Sequence, residues 1–184
     1  LSPFEGAGVM IGREFVTTRV IPDCDSEAMR LRDILQPLKE VPDEFLINLE
    51  DIPRWEYLKG AKREPRVNKA LGYTYTFTEG ALAFPDDSNG PSRTIITGEG
   101  GSSPSRTKHV VSQENRLRRL TPIELERLNM FPDNHTLLEG VSNGKRGFLM
   151  GNALVVGVVE AIGNALLENQ QISRTFLPEG HLVP

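Results

Sequence analysis

Few residues in this 184-residue sequence have the type and spacing to do chemistry unaided. The single cysteine, Cys24, sits in Pro22-Asp23-Cys24-Asp25. A nucleophilic thiolate needs positive charge nearby, and two flanking aspartates disfavour it, so Cys24 reads as structural. His109, His135 and His181 stand far apart, without the His-x3-His spacing of a metal site. Gly140–Lys145 carries glycine and lysine but lacks the Gly-x4-Gly-Lys-Ser/Thr spacing and a preceding strand. There is no Gly-x-Ser-x-Gly nucleophile elbow. No catalytic residue and no metal ligand is assigned, and any function must come from binding or from a site completed elsewhere.

The elements that would position a binding surface are short. Val9–Ile11 and Phe15–Ile21 are rich in β-branched residues around Gly12 and predict a hairpin. Asp25-Ser26 is placed to cap a helix running to Leu35, after which Pro37, Pro42 and Pro53 cut the chain into short pieces. Residues 54–69 mix bases with aromatics and show no clean period. Tyr73–Phe77 alternates as a strand should, Phe84–Pro91 is turn chemistry, and Thr94–Thr97 and His109–Val111 predict two further strands. Thr121-Pro122-Ile123-Glu124 has the hydroxyl, proline and acid of a capped helix start. Ile123, Leu125, Leu128 and Met130 give that helix an apolar face, Glu124 and Arg127 are spaced for an ion pair, and Phe131-Pro132-Asp133 ends it. A second helix is expected from about Leu154 to Leu167, apolar around most of its circumference and therefore buried on several sides. The last residues, 169–184, read as an irregular tail.

Composition is that of an ordinary globular protein, 38% apolar and 25% charged. One cysteine excludes an intramolecular disulfide. No run reaches the ~18 apolar residues of a membrane span, and no signal segment opens the chain. The expectation is a soluble, bacterial, cytoplasmic protein with no membrane partner. The net charge of −4 hides an asymmetry: residues 1–53 hold 11 acids and 5 bases, residues 54–120 hold 7 and 12, and residues 121–184 hold 7 and 4. A basic middle between acidic flanks suits a phosphate-bearing partner, although a merely solvated face has the same composition.

Three segments carry more information than composition. Pro91-Ser92-Arg93-Thr94-Ile95-Ile96-Thr97 leads into Gly98-Glu99-Gly100-Gly101. Arg118-Arg119-Leu120-Thr121-Pro122-Ile123-Glu124 continues through Arg127-Leu128 to Phe131-Pro132-Asp133, and Gly151-Asn152-Ala153-Leu154-Val155 follows. In this order and spacing they resemble the C-terminal part of a bacterial DNA cytosine-5 methyltransferase. The first is similar to the Thr-Leu/Ile element that ends that family's target recognition domain, the second to its ninth conserved motif and the third to its tenth. Physically, glycines beside a strand let a backbone approach a duplex closely, and Arg93 can meet a phosphate or a base edge. Gly151 and Asn152 are expected at a helix N-terminus, which suits an anionic group. The resemblance implies that this turn closes over S-adenosylmethionine held by the other domain.

The opening Phe4-Glu5-Gly6-Ala7-Gly8 also resembles the Phe-x-Gly-x-Gly of the family's donor loop. That loop should feed a helix, whereas Phe15–Ile21 is a strand former, and Leu31-Arg32-Asp33-Ile34-Leu35 is similar to the segment after the eighth motif. The second assignment is preferred. The family's Pro-Cys and Glu-Asn-Val are absent, so the resemblance implies that the catalytic motifs precede Leu1. The chain is then the DNA-recognition half of the enzyme, a fragment or one subunit of a split enzyme, inactive without the catalytic half. The fold expected is α+β: a small target recognition domain of short strands and loops, then two helices, the last packing on a Rossmann-like domain. Residues 1–25 would be a strand remnant of the catalytic domain edge, 26–140 the recognition domain, 141–168 the returning tenth-motif helix and 169–184 the tail. The expected DNA contacts are Arg93, Thr94, Gly100, Gly101, Arg106, Lys108 and Arg116, with Arg54, Lys59, Lys62, Arg63 and Arg66 behind them. Gly151, Asn152 and Ala153 are the expected edge of the donor pocket. Two other functions stay open at this point: a non-catalytic DNA-binding module of the same fold, and an interaction protein for an acidic partner.

Overall fold

The computed structural model of the chain describes residues 6–21 and 29–176. The chain opens with a hairpin, β1 (Gly6–Ile11) against β2 (Glu14–Arg19), turned by two residues of which Gly12 has φ 63. Both strands are exposed along their whole length. Cys24 and the proposed Asp25-Ser26 cap lie outside the described residues; of the helix expected to reach Leu35, a single 3₁₀ turn at Leu31–Ile34 is present. Pro37 and Pro42 each precede a further 3₁₀ turn, and Pro53 stands in the first turn of α1 (Ile52–Lys59). The aperiodic stretch 54–69 therefore holds α1 and the strand β3 (Lys62–Val67), which pairs antiparallel with β4 (Thr74–Glu79). Its bases and aromatics hide the period because both elements are largely solvent-facing and need no apolar stripe.

A third hairpin joins β5 (Val110–Gln113) to β6 (Arg116–Arg119) through Glu114 and Asn115, both at positive φ, the backbone of a tight two-residue turn. Then come α2 (Pro122–Leu128), α3 (Asn143–Asn152) and α4 (Val156–Phe176). Among the described residues the fold is thus four α-helices and three separate two-stranded sheets. Thr94–Thr97 is not one of the strands: it runs along α3 and pairs with no neighbouring strand.

The apolar core gathers Leu31, Ile34, Val111, Leu120, Leu125 and Met150, with Ile95, Leu128 and Phe131 packed against it. Its polar keystone is Arg118 with Glu124, both fully buried. Glu124 accepts from Arg118 Nη1 at 2.9 Å and Nη2 at 2.7 Å, and from the backbone amides of Gln36 and Thr121 at 2.8 Å each. Arg118 Nε donates to Gln113 Oε1 at 2.7 Å. One carboxylate therefore closes the capping box of α2 and ties that helix to β6 and to the Gln36 segment. The expected Glu124–Arg127 pair does not form. Glu124 is turned inward, and Arg127 reaches out to Asp133 at 2.6 Å and to the Ile34 carbonyl at 3.0 Å.

The end of α2 is closed by two bonds, Phe131 N to Glu126 O and Met130 N to Arg127 O, both 2.9 Å. Met130 takes φ 62 at the position where this closure favours glycine, and its half-exposed side chain lies against α4, where a Cβ on Gly157 would stand 2.5 Å from its Sδ.

The C-terminal part differs most from expectation. The apolar run is broken at Ala153–Val155 into α3 and α4, and α4 extends as far as Phe176 where a tail was expected. Within Asn143–Glu168 one 18-residue window has mean hydropathy 1.6, enough to cross a bilayer by length and composition only. The first half of the stretch is docked on the core through buried Arg146, Gly147 and Met150. The α4 half is not buried: Val158, Ile162, Leu166 and Leu167 are exposed, as is Leu154 in the break before it.

Arg118→Ala leaves the Glu124 charge buried and unpaired, so unfolding free energy in urea should drop by about 3–5 kcal/mol. Asp133→Ala, at an exposed pair, should cost less than ~1 kcal/mol; equal losses would show that the buried pair is not the keystone. Met130→Gly should raise stability by about 1 kcal/mol if the left-handed backbone cost outweighs the lost contact with α4 at Gly157. An unchanged or lower urea midpoint would mean that the Met130 side chain contributes more than its exposure suggests.

Candidate nucleic-acid interface

The Arg93–Gly101 segment lies against α3 because glycines on both sides permit it. A Cβ at Gly100 would stand 2.7 Å from the Gly144 carbonyl oxygen, and one at Gly147 2.6 Å from the Gly100 Cα. At Gly151 it would meet Ile96 C at 2.5 Å and the Thr97 backbone. The close approach that sequence reasoning reserved for a duplex at Gly100 is made to α3 instead. Gly101 is exposed, and its carbonyl accepts from Lys108 Nζ at 2.8 Å and Arg119 Nη1 at 3.0 Å.

Three of the expected DNA contacts are spent inside the chain. Arg93 holds Asp86 through Nε at 2.7 Å and Nη2 at 3.1 Å, and donates to the Thr107 and Lys108 carbonyls. Arg106 pairs with Glu79 at 3.0 Å and donates to the carbonyls of Leu58, Gly60 and Gly80, locking α1 to the end of β4. Lys108 is buried, with Nζ on Gly101 O and on Ser103 O at 2.6 Å. Burial, aided by the neighbouring Arg119 charge, pushes the Lys108 ammonium below its ordinary value, the opposite of what an anion-facing lysine would show. Lys59 is buried against Asp86, Lys62 pairs with Glu79 and Arg66 with Glu64. Thr94 and Arg116 are exposed, and so are Arg54, Arg63 and Lys69.

Sequence reasoning missed the acids that consume these cations. Asp86, in a turn, accepts from Arg93 and from the Val110 amide at 2.8 Å. Burial pushes its carboxyl up, but those two hydrogen bonds and the charges of Lys59 and Arg93 outweigh it, and the group ends below its ordinary value. Lys59 is lowered too, because burial costs it more than Asp86 returns. Asp86 gains from two cations and an amide, whereas the attraction of Asp86 and Glu99 for Lys59 is opposed by burial and by the Arg93 charge. Glu99 takes His109 Nδ1 at 2.8 Å, and His109 Nε2 lies 3.1 Å from Ser92 Oγ. Glu126 takes Arg146 at 2.9 Å together with the Thr136 hydroxyl and amide. Burial raises the Glu126 carboxyl, and the Thr136 and Arg146 bonds more than reverse the shift.

Gly151-Asn152 does not stand at a helix N-terminus. It ends α3, where carbonyls rather than amides are free, and Ala153 follows as the cap. Asn152 is exposed and donates to the Phe148 carbonyl at 2.9 Å. Yet the two motifs do meet. Arg93, Thr94, Gly151 and Ala153 all line one cleft of about 340 Å³, floored by Leu128, Asn129 and Met150. Asn129 fixes its geometry, donating to the Met150 carbonyl at 2.8 Å and accepting from the Val156 amide at 3.0 Å. As a holder of S-adenosylmethionine this rim fits only as an edge: Gly151 and Ala153 offer a short turn, Asn152 is not among the lining residues, and the lining holds no acid or aromatic clamp. Arg116, Gly100 and Gly101 are not among the residues lining the cleft.

Residues 27–168 match the family of C-5 cytosine-specific DNA methylases. The chain belongs to that family. It is 39% identical over 163 residues to the type II methyltransferase M.Sau3AI of Staphylococcus aureus, a match covering 89% of this chain and 38% of that protein. The fold is similar to that of the Dnmt2 methyltransferase of S. pombe, with TM-score 0.52 and 18% identity over 80% of this chain and 44% of that one. It is also similar to the methyltransferase EhMeth of Entamoeba histolytica, with TM-score 0.51 and 15% identity over 85% and 48%. This cytosine methylase chain thus spans less than half the length of the relatives it matches.

The depressed Asp86 and Glu126 carboxyls set the acid response. Their stabilisation is complete above the ordinary carboxylate range near pH 4 and is lost as pH falls through the lower folded values. The urea midpoint should therefore fall as pH drops below about 4, and Asp86→Asn should shrink that fall. If the Asp86→Asn variant kept the acid sensitivity of the parent, other groups would have to carry it.

Proposed function

We propose that this chain is the DNA-recognition half of a DNA (cytosine-5-)-methyltransferase of the restriction-modification type. The supporting observation is the convergence of Arg93 and Thr94 with Gly151 and Ala153 on one cleft, beside a helix, α4, whose apolar side chains stand uncovered. A recognition half needs both: a surface where the target strand meets the methyl-donor edge, and an apolar face to seat on the catalytic half. An uncovered apolar helix this large is otherwise a liability in a soluble protein. The chain carries no Pro-Cys nucleophile, so the bond-making residues belong to the catalytic half, whether in the same polypeptide or a separate subunit.

A cytosine cannot be attacked within the stack and has to be turned out of the duplex. S-adenosylmethionine supplies the methyl group. In this reading Thr94 and Arg116 contact the duplex directly, with the Gly101 turn at the margin. Asn152 and its neighbours close one edge of the donor site. Arg93, Arg106, Lys108 and Gly100 act as positioning residues that set the shape of the contact surface.

Methyl transfer from labelled S-adenosylmethionine to mixed-sequence duplex DNA tests this directly. The chain alone should transfer nothing, and the chain with a catalytic half carrying Pro-Cys and Glu-Asn-Val should methylate cytosine within one sequence. Absence of transfer when complemented, despite duplex binding that weakens steeply with salt, would instead identify a bare DNA-binding module.

A further inference from the structure

The β3–β4 hairpin has two unlike faces. Cross-strand partners share a face, so Lys62 and Glu79, Glu64 and Phe77, Arg66 and Tyr75 stand together on one side. That side is internally satisfied: Lys62 pairs with Glu79 at 3.2 Å, Arg66 with Glu64 at 2.6 Å, and the Arg66 guanidinium stacks 3.5 Å from the Phe77 ring centroid. The opposite side carries Arg63 with Thr78, Pro65 with Thr76, and Val67 with Thr74. Its three threonines and Arg63 are exposed, and no acid faces them from the hairpin. Neither strand pairs with any other strand among the described residues.

The tip and the root are both rigid. Asn68 Oδ1 accepts from the Ala70 and Leu71 amides at 3.0 and 3.1 Å, and Gly72 N donates to the Asn68 carbonyl at 2.8 Å. This holds Lys69 and Leu71 outward in a fixed loop, with Gly72 at φ 70. At the root Arg106 grips Glu79 and Gly80, and Leu82 N donates to the Lys59 carbonyl at 2.8 Å. A stiff, twisted two-stranded ribbon, ~20 Å long for six residues a strand, fits a B-DNA major groove ~12 Å wide. The first hairpin, β1–β2, has the same shape but presents Val9, Met10, Ile11, Phe15 and Val16, side chains suited to a protein face. Charge and polarity separate the two: an arginine and a hydroxyl stripe can donate to base edges, and threonine methyls can meet thymine methyls.

We infer that the β3–β4 ribbon enters the major groove of the target duplex, with Arg63, Thr74, Thr76 and Thr78 as its sequence-reading face and Lys69 on the flanking phosphates. The inference rests on the recognition reading above and names the element that performs it. The test uses the full 184-residue chain, sequence selection from a randomised duplex pool, and salt titration of binding to the selected and scrambled duplexes. Arg63→Ala and the triple change Thr74→Val, Thr76→Val, Thr78→Val keep the strand shape and lie on an exposed face. Each should cut the selected-to-scrambled affinity ratio roughly tenfold or more, with far-ultraviolet circular dichroism unchanged. Lys69→Ala should weaken both duplexes alike and lower the salt slope by about 1. If the Arg63 and threonine variants keep the parental ratio, the ribbon is not the reader, while the recognition reading stands. A parent chain with no salt-dependent duplex binding would overturn both. Equal or tighter binding of the parent to single-stranded RNA would overturn the major-groove assignment.

Discussion

The guanidinium of Arg118 and the carboxylate of Glu124 meet in a site with no water access, and the surrounding architecture depends on their staying paired. Four hydrogen bonds converge on Glu124, from Arg118 twice and from the amides of Gln36 and Thr121. Charges removed from water are tolerated only when every lone pair and proton is satisfied. Satisfying them here requires β6, the start of α2 and the Gln36 segment to arrive together, so one pair fixes the distant Gln36 segment against the β6–α2 junction. The Leu31, Leu120 and Leu125 core then closes around it.

The same constraint governs the basic middle of the chain. Most of its cations do not face outward: Asp86 holds Lys59 and Arg93, Glu79 holds Lys62 and Arg106, and main-chain carbonyls hold Lys108. Short strands and loops with little apolar content need such staples, since small separate sheets bury too little surface to be stable alone. What is left on the outside is selective. Arg54, Arg63, Lys69 and Arg116 stay exposed, and exposed apolar side chains are most numerous on β1–β2 and α4, with Val67, Leu71, Tyr73 and Tyr75 on the β3–β4 hairpin. The β3–β4 hairpin differs from β1–β2 and α4 in exposing Arg63, Lys69 and a row of threonines as well.

Much of this was legible in the residues. The β1–β2 hairpin, the β4 strand and the capped start of α2 follow from alternation and from the Thr-Pro-Ile-Glu box, because those signals are local. The family is legible for the same reason, through the Arg118–Asp133 string. The partners of Arg93, Arg106 and Lys108 were not, since Asp86, Glu79 and the Gly101 carbonyl reach them only through tertiary folding. A cation read along the chain looks available until its acid is found in space. Gly151 misled for a related reason: the apolar run suggested one helix beginning there, whereas the glycine ends α3 and serves close packing against Ile96 and Thr97. The Thr94–Thr97 stretch has strand composition but no partner strand, and composition alone cannot supply one.

In the proposed role, one scaffold presents an apolar dock for a catalytic half on one set of elements and a polar reader on another. Hydrogen–deuterium exchange of the chain, alone and after adding a catalytic half, is the most direct test. Amides of β1–β2 and of α4 over Val156–Leu167 should gain protection when the catalytic half is added, while those of β3–β4 should do so only when target duplex follows. Unchanged exchange in α4 on addition of an active catalytic half, or protection of β3–β4 by protein alone, would contradict that division of surfaces.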